Sequence, residues 1–335
     1  MPEPLRIAVL GFWHVHAADY AREAQEHPDT RVVAVWDDDA ALGRPGAEQF
    51  GVPYLATLDE ILARDDVDAV TVTTETSRHH EVMTRAIAAG KHVFSEKVLA
   101  PTVEEAESIV AAADAHDVRL VVSLPRLAHG YTQAITDVIA TGSLGRLTHA
   151  RVRLSHEGAV PRDDGPGWLP ARFFDPATAI GGALTDLGCH PVYLVQLVLG
   201  FDVESVSATY RSVYGHPVED HAVVTATYPG GAIGVIEAGF VNRAPFVIEV
   251  GGTEGTVRYT GDRRVIVASG DGFGGRGPHY SMVPLDRPGP FAQWVEHIRA
   301  GTRADDNLAR AVELTRLVVA ANPAAAAGRT LPYRA

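Results

Sequence analysis

Leu5-Arg6-Ile7-Ala8-Val9-Leu10-Gly11, running on into Phe12-Trp13-His14-Val15-His16-Ala17, is the stretch on which the fold reading turns. A short apolar run closed by glycine predicts a buried strand, and the residues that follow predict a helix through Tyr20 to about Glu26. The same unit then repeats. Arg31 to Trp36 reads as a strand ending in Asp37-Asp38-Asp39, and Ala40 to Phe50 as a helix stopped by Gly51. Pro53-Tyr54 reads as a short strand, and Thr57 can cap a helix holding Leu58, Ile61 and Leu62. Asp68 to Val72 predicts a strand, His79 to Ala89 a helix ended by Gly90, and His92-Val93-Phe94 a strand leading to Glu96-Lys97. Thr102 and Glu105 form a capping-box pattern for a helix to about His116, before a last strand at Val118 to Val122. Strand and helix alternating in this way predict a parallel sheet covered on both faces, and right-handed crossovers make it doubly wound.

After Ser123 the rhythm changes. Helices are predicted near Gln133 to Thr141 and Ala183 to Leu199. Alternating runs dominate elsewhere: Leu147 to His156, Val203 to Tyr214, Ala222 to Tyr228, Ala232 to Phe240, Phe246 to Val250 and Thr256 to Tyr259. Pro229-Gly230-Gly231 suits a turn between two of them. Helices return at Phe291 to Arg299 and Asp305 to Ala321, and Pro323 with Ala324 to Ala327 reads as a loop or frayed turn. The expectation is an α/β protein with a doubly wound domain over residues 1–123. An α+β domain over 124–335 follows, built on a large mixed or antiparallel open sheet.

The 335 residues carry a formal net charge of −13, which argues against nucleic acid or an anionic membrane as main partner. Cys189 is the one cysteine, so no intrachain disulfide can form. Met1-Pro2-Glu3-Pro4 runs straight into a strand, without the flank of a signal peptide, and no apolar run has membrane-spanning length. The expected location is cytoplasmic.

Gly11 stands where the dinucleotide fingerprint G-x-G-x-x-G begins, but Trp13 and His16 occupy the other glycine positions. A tight turn and a helix N-terminus still make an anion site. Asp37, 26 residues after Gly11, could accept hydrogen bonds from an adenosine ribose and repel a 2′-phosphate, favouring NAD over NADP; a solvated loop acid is the other reading. His14, His16, His79 and His80 raise the question of a metal, but no cysteine or acid cluster completes a set, so they read as loop or helix-cap histidines and no metal is expected. Lys97 follows a strand whose carboxyl end should face the ligand crevice, where it could hold a substrate oxygen; pairing with Glu96 at the surface is the alternative. In Gly181-Gly182-Ala183-Leu184-Thr185-Asp186-Leu187-Gly188-Cys189-His190 the glycine pair allows a helix to start against something close. Asp186 and His190 then lie one turn apart, a spacing that suits acid–base work or a structural pair in a core.

Ala88-Ala89-Gly90-Lys91-His92-Val93-Phe94-Ser95-Glu96-Lys97 resembles the "AGKHV…EKP" segment of the glucose–fructose oxidoreductase/inositol dehydrogenase (Gfo/Idh/MocA) family, and Gly181 to His190 resembles its "GGxxxDxGxH" segment. The resemblance implies a Rossmann domain, a second domain whose open sheet often forms homodimer or homotetramer contacts, and a bound NAD(P). It also implies oxidation or reduction of a secondary alcohol on a sugar, cyclitol or related polyol. Carried onto this sequence, Lys97, Asp186 and His190 are the catalytic candidates. Gly11, Phe12, Trp13, His14, Asp37, Thr74, Glu75, His79, Glu96 and Lys97 are the cofactor candidates. Apart from the resemblance, Arg126, His156, Trp168, Arg172 and Tyr193 are polar or aromatic, which suits a sugar, and are candidates for the substrate; each could equally be structural. Three departures stand out: Val98 where proline is usual, Glu75-Thr76 where "PN" is common, and Tyr193 where a second acid often follows the histidine. Two alternatives remain open here. One is a lyase or glycosidase that oxidises transiently to permit elimination; the other is a non-catalytic NAD- or ligand-sensing protein.

Overall fold

The computed structural model describes residues 3–163, 165–261, 265–275 and 277–333. The chain divides into two compact units, Met1–Leu124 with Pro288–Thr315, and Pro125–Arg287 with Arg316–Ala335.

In the first unit the expected alternation forms. Strands β1 (Leu5–Leu10), β2 (Thr30–Trp36), β3 (Tyr54–Leu55), β4 (Ala69–Val72), β5 (His92–Ser95) and β6 (Leu120–Val122) make one parallel sheet in the order β3-β2-β1-β4-β5-β6. Between them lie α1 (Ala17–Glu26), α2 (Ala40–Phe50), α3 (Leu58–Leu62), α4 (His79–Ala88) and α5 (Val103–Ala115). The strand order reverses between β1 and β4, and a crevice for ligands opens at the carboxyl ends of strands at such a switch point. Local chemistry sets the helix ends. Thr57 and Glu60 form a full capping box for α3, whereas at α5 only the Thr102 half forms, accepting from Glu105 N.

The segment after residue 287, assigned from sequence to the second domain, returns to the first unit as α8 (Pro290–Ala300). The reason is apolar: Phe291 and Trp294 are wholly buried and pack on Phe94 of β5 with ring centroids 5.4 and 5.7 Å away. Asn307 covers the edge of β6, donating to Val122 O at 2.9 Å and accepting from Val122 N at 2.8 Å.

The second unit begins with α6 (Gly130–Ala140) and β7 (Leu147–Ser155) and continues through α7 (Cys189–Leu199). There follow β8 (Ser205–Arg211), β9 (His221–Thr227), β10 (Ile233–Gly239), β11 (Val247–Gly252), β12 (Thr256–Tyr259), β13 (Val265–Ser269) and β14 (His279–Met282). Nine strands form a mixed sheet, β14-β13-β12-β11-β7-β10-β9-β8-β15, where β15 is Leu331–Pro332. Among the described residues only β7 and β10 pair in parallel in this sheet. Pro229–Gly231 makes the turn from β9 to β10, with Gly230 at φ +81°. Burial alternates along β9 and β10: Ala222, Val224, Ala226, Ile236 and Ala238 face inward, and α7 packs on β7 and β10. Helix α9 (Asp305–Ala327) runs through Pro323 and the alanines after it, so the expected loop at Ala324 to Ala327 is helical instead. Alanine is the strongest helix former, and here it carries the helix past the proline. Among the described residues no helix is long and apolar enough to cross a membrane.

Candidate functional site

In the first unit the loops after β1, β2, β4 and β5 carry the predicted cofactor residues. Gly11 has φ +91°, and a Cβ there would lie 2.7 Å from Thr74 N and 2.8 Å from Thr74 Cα, so the loop closes tightly over the end of β4. The N–H groups of Gly11, Phe12, His14 and His16 are bonded to Trp36 O, Asp37 Oδ2, Thr73 O and His14 Nδ1. These four N–H groups are therefore spent inside the unit, unlike those a glycine-rich loop offers to a diphosphate. Trp13 is buried at the second glycine position.

Asp37 is 3% exposed, not a solvated loop acid, and takes Phe12 N–H at 2.6 Å and Asp39 N–H at 2.8 Å. Burial pushes its carboxyl up to about 6 against the pull of those two N–H groups. Thr74 Oγ1 is buried with no hydrogen-bond partner among the described residues. Glu75 is half-buried, and burial raises its carboxyl above the usual range. His79 is fully buried; its Nδ1 lies 2.9 Å from Val98 O and its Nε2 3.3 Å from Thr74 O, so it ties the loop after β4 to the one after β5. The Lys97–Val98 peptide that follows β5 is cis.

Lys97 is 4% exposed, and its Nζ stands 3.4 Å from Oε1 of the equally buried Glu96. Tyr20 donates to Glu96 Oε2 and lies 2.8 Å from Ser123 Oγ. Burial pushes the Glu96 carboxyl up, yet His14, Lys97 and His16 together hold it well below the usual range, so it is anionic. His14 Nε2 and His16 Nδ1 lie 3.8 and 3.5 Å from its two oxygens. An acid just past the end of β5, eighty residues on from His16, thus meets these two histidines.

The first unit thus has a β1/β4 switch point, a buried acid at the end of β2, a buried hydroxyl with no hydrogen-bond partner among the described residues, and an α1 N-terminus with no side-chain cap, features that suit a dinucleotide.

In the second unit Leu184–Gly188 forms one π-helical turn that feeds α7, an irregularity frequent at functional sites. What the glycine pair approaches is the chain at Glu219. A Cβ on Gly182 would lie 1.9 Å from Glu219 O, while Glu219 O accepts from Ala183 N and its carboxylate from Gly182 N and Leu184 N. Asp186 is half-buried, with its carbonyl oxygen 2.9 Å from Cys189 Sγ. His190 is 7% exposed, and its Nδ1 lies 2.9 Å from the Tyr193 hydroxyl, which accepts from Arg126 N at 3.1 Å. Burial lifts the Tyr193 phenol well above its usual value, so it is a neutral partner where an acid would be charged. Tyr193 is thus buried against His190 rather than open to a substrate.

Arg126 joins this group and also donates to Tyr131 OH at 3.0 Å. His156 and Trp168 form a separate pair, with ring centroids 4.7 Å apart; His156 also stacks on Phe240, and its Nδ1 accepts from Gly158 N. Trp168 borders a cavity of about 760 Å³ shared with Phe174, Tyr214 and His216. Arg172 lies over the Phe173 ring at 5.9 Å. Sequence reasoning missed Tyr20 and Glu219, whose partners are 76 and 35–37 residues away; only proximity in the fold reveals them.

A doubly wound sheet with a buried acid after its second strand, joined to a large mixed-sheet unit, defines a two-domain protein of the dinucleotide-dependent oxidoreductase class. Residues 5–124 match the family model described as "Oxidoreductase family, NAD-binding Rossmann fold", and residues 132–258 the GFO/IDH/MocA C-terminal domain. The 1,5-anhydro-D-fructose reductase of Ensifer adhaerens is 33% identical over 68% of this chain and 67% of its own. The dTDP-3,4-didehydro-2,6-dideoxy-alpha-D-glucose 3-reductase of Streptomyces antibioticus is 28% identical over 77% and 76%. The crystal structure of GenD2 from gentamicin A biosynthesis, in complex with NAD, superposes with a TM-score of 0.84 at 27% identity, covering 100% of this chain and 98% of that one. The chain belongs to the Gfo/Idh/MocA family of oxidoreductases.

Proposed function

We propose that this enzyme interconverts a secondary alcohol and a ketone on a sugar, cyclitol or related polyol, with NAD as its cofactor. The observation that carries the proposal is the buried Lys97 held against the anionic Glu96 at the carboxyl end of β5. NAD, when bound, supplies the hydride acceptor or donor. Gly11, Phe12, Trp13, His14, Thr74, Glu75 and His79 shape its cradle, and Asp37 accepts from the ribose hydroxyls, which favours NAD over NADP. Lys97 donates to the reacting oxygen and stabilises negative charge developing on it. His190 exchanges the hydroxyl proton. The tautomer this role requires places the ring proton on Nδ1, toward the Tyr193 hydroxyl 2.9 Å away, and leaves the lone pair on Nε2 for the base. Asp186 orients substrate or histidine, and Arg126, His156, Trp168 and Arg172 supply polar and aromatic contacts suited to a polyhydroxylated ring. The enzyme works as a homodimer or homotetramer in the cytoplasm; light scattering checks the assembly.

The test is turnover with NAD on a panel of sugars and cyclitols. Lys97→Ala and His190→Ala are each expected to lower kcat by at least about a hundredfold with the circular dichroism spectrum unchanged. Wild-type turnover in either variant refutes that residue's role, and failure of NADH to accumulate with product refutes net oxidation.

A further inference from the structure

Histidines stand at the last position of the fingerprint and two residues before it, and both imidazoles face the glutamate that ends β5. We propose that His14, His16 and Glu96 form a binding site for a first-row divalent cation of the zinc class.

One ligand atom from each of the three residues lies within 4.8 Å of the other two. An ion with bonds of about 2.0–2.1 Å in tetrahedral geometry holds its ligand atoms about 3.4 Å apart. His16 Nδ1 lies 3.5 Å from Glu96 Oε2 and His14 Nε2 3.8 Å from Glu96 Oε1, with the imidazole centroids 4.6 Å apart, so small side-chain rotations bring one oxygen and two nitrogens to that spacing. Two imidazoles and one carboxylate are the donors of open zinc sites and of the facial triad that holds ferrous iron, both of which keep positions for water or substrate. Glu96 is 1% exposed, so the carboxylate donor is held inside the protein rather than left to water. The His16 side chain is 41% exposed, giving an ion a way in.

Two features limit the affinity. Lys97 Nζ at 3.4 Å from Glu96 Oε1 opposes a dication. His14 Nδ1 also accepts the His16 N–H at 3.2 Å, which puts the ring proton on Nε2. Uptake of an ion through Nε2 moves that proton to Nδ1 and gives up this long hydrogen bond. Micromolar rather than tighter binding follows. The proposal concerns binding alone and stands or falls separately from the catalytic roles above.

The experiment uses full-length, chelator-treated protein without NAD or substrate, titrated with Co²⁺ by visible absorption and with Zn²⁺ by calorimetry. One equivalent is expected to bind at micromolar concentration, with the intense cobalt bands of a low-symmetry nitrogen–oxygen site. His16→Ala is expected to weaken binding by about a hundredfold or more, and His80→Ala, at a histidine outside the cluster, to leave it unchanged. His16→Gln serves in the same way should His16→Ala not fold. Substoichiometric uptake by the wild type, undiminished uptake by the His16 variants, or an equal loss in His80→Ala overturns the proposal.

Discussion

Glu219→Ala removes the carboxylate that accepts from Gly182 N at 3.1–3.2 Å and from Leu184 N at 3.0 Å, at the start of the segment bearing Asp186 and His190. A hydrogen bond to a charged group is worth about 1.5–3 kcal/mol net, and each donor left buried without an acceptor costs about 1–3 kcal/mol. Water partly replaces the lost oxygen at this half-buried position, and Glu219 O still holds Ala183 N at 2.8 Å. The expected loss is therefore about 2–4 kcal/mol, with faster amide exchange at Gly182 and Leu184. Glu219→Gln keeps an acceptor and should cost less. The pH dependence has a definite sign. Burial raises the Glu219 carboxyl above its ordinary value, outweighing the pull of the Leu184 and Gly182 N–H groups. The folded state thus takes up this proton more readily than the unfolded one. The contribution is most favourable below the unfolded-state pKa, declines as pH rises through the folded-state value, and is constant above it. Glu219→Gln should remove that decline. Hydrogen exchange by NMR or mass spectrometry, with denaturation at several pH values, reads both effects. A loss under about 1 kcal/mol with unchanged exchange at Gly182 and Leu184 would refute the clamp.

Gly11→Ala drives a Cβ to 2.7 Å from the Thr74 backbone at φ +91°, and should cost about 1–3 kcal/mol by denaturation and weaken NAD in calorimetry. Asp37, with its carboxyl at about 6, is ionised above that pH and loses acceptor capacity below it. NAD affinity should therefore fall as pH drops from about 7 to about 5. Asp37→Asn should flatten that dependence and narrow the preference for NAD over NADP, both measurable by calorimetry. Tyr193→Phe removes the hydroxyl shared by His190 Nδ1 and Arg126 N. One lost positioning bond of about 1.4 kcal/mol predicts about a tenfold fall in kcat with KM little changed, read from steady-state kinetics.

The first unit was legible because its determinants are local. Each strand is a short, mostly apolar run, most of the helices between them end at a glycine or begin at a capping threonine, and the connections leave one economical topology. The helix at α8 was legible but its docking place was not: Phe291 and Trp294 look like any amphipathic pair until Phe94 is found beneath them, nearly two hundred residues earlier in the chain. Legibility failed at Ala324 to Ala327, where Pro323 argued for a stop and alanine propensity with tertiary context carried the helix on.

The candidate site divides along the same line. Lys97 and His190 could be named from their own segments, because motif and strand end are sequence properties. What surrounds them could not. Glu96 is held low, against its burial, by His14, Lys97 and His16, while Tyr20 donates to it from α1, and His190 lies against a tyrosine whose own oxygen accepts from the backbone of Arg126. The fingerprint illustrates the difference best. In the sequence, Trp13 and His16 look like damage to a phosphate-binding loop. In the fold the loop is closed by Asp37, Thr73 and His14 Nδ1, and its histidines face a carboxylate beside the motif lysine. The substitutions therefore exchange backbone donors for side-chain chemistry, and the place to look for what sets this enzyme apart is the neighbourhood of Glu96 rather than the diphosphate.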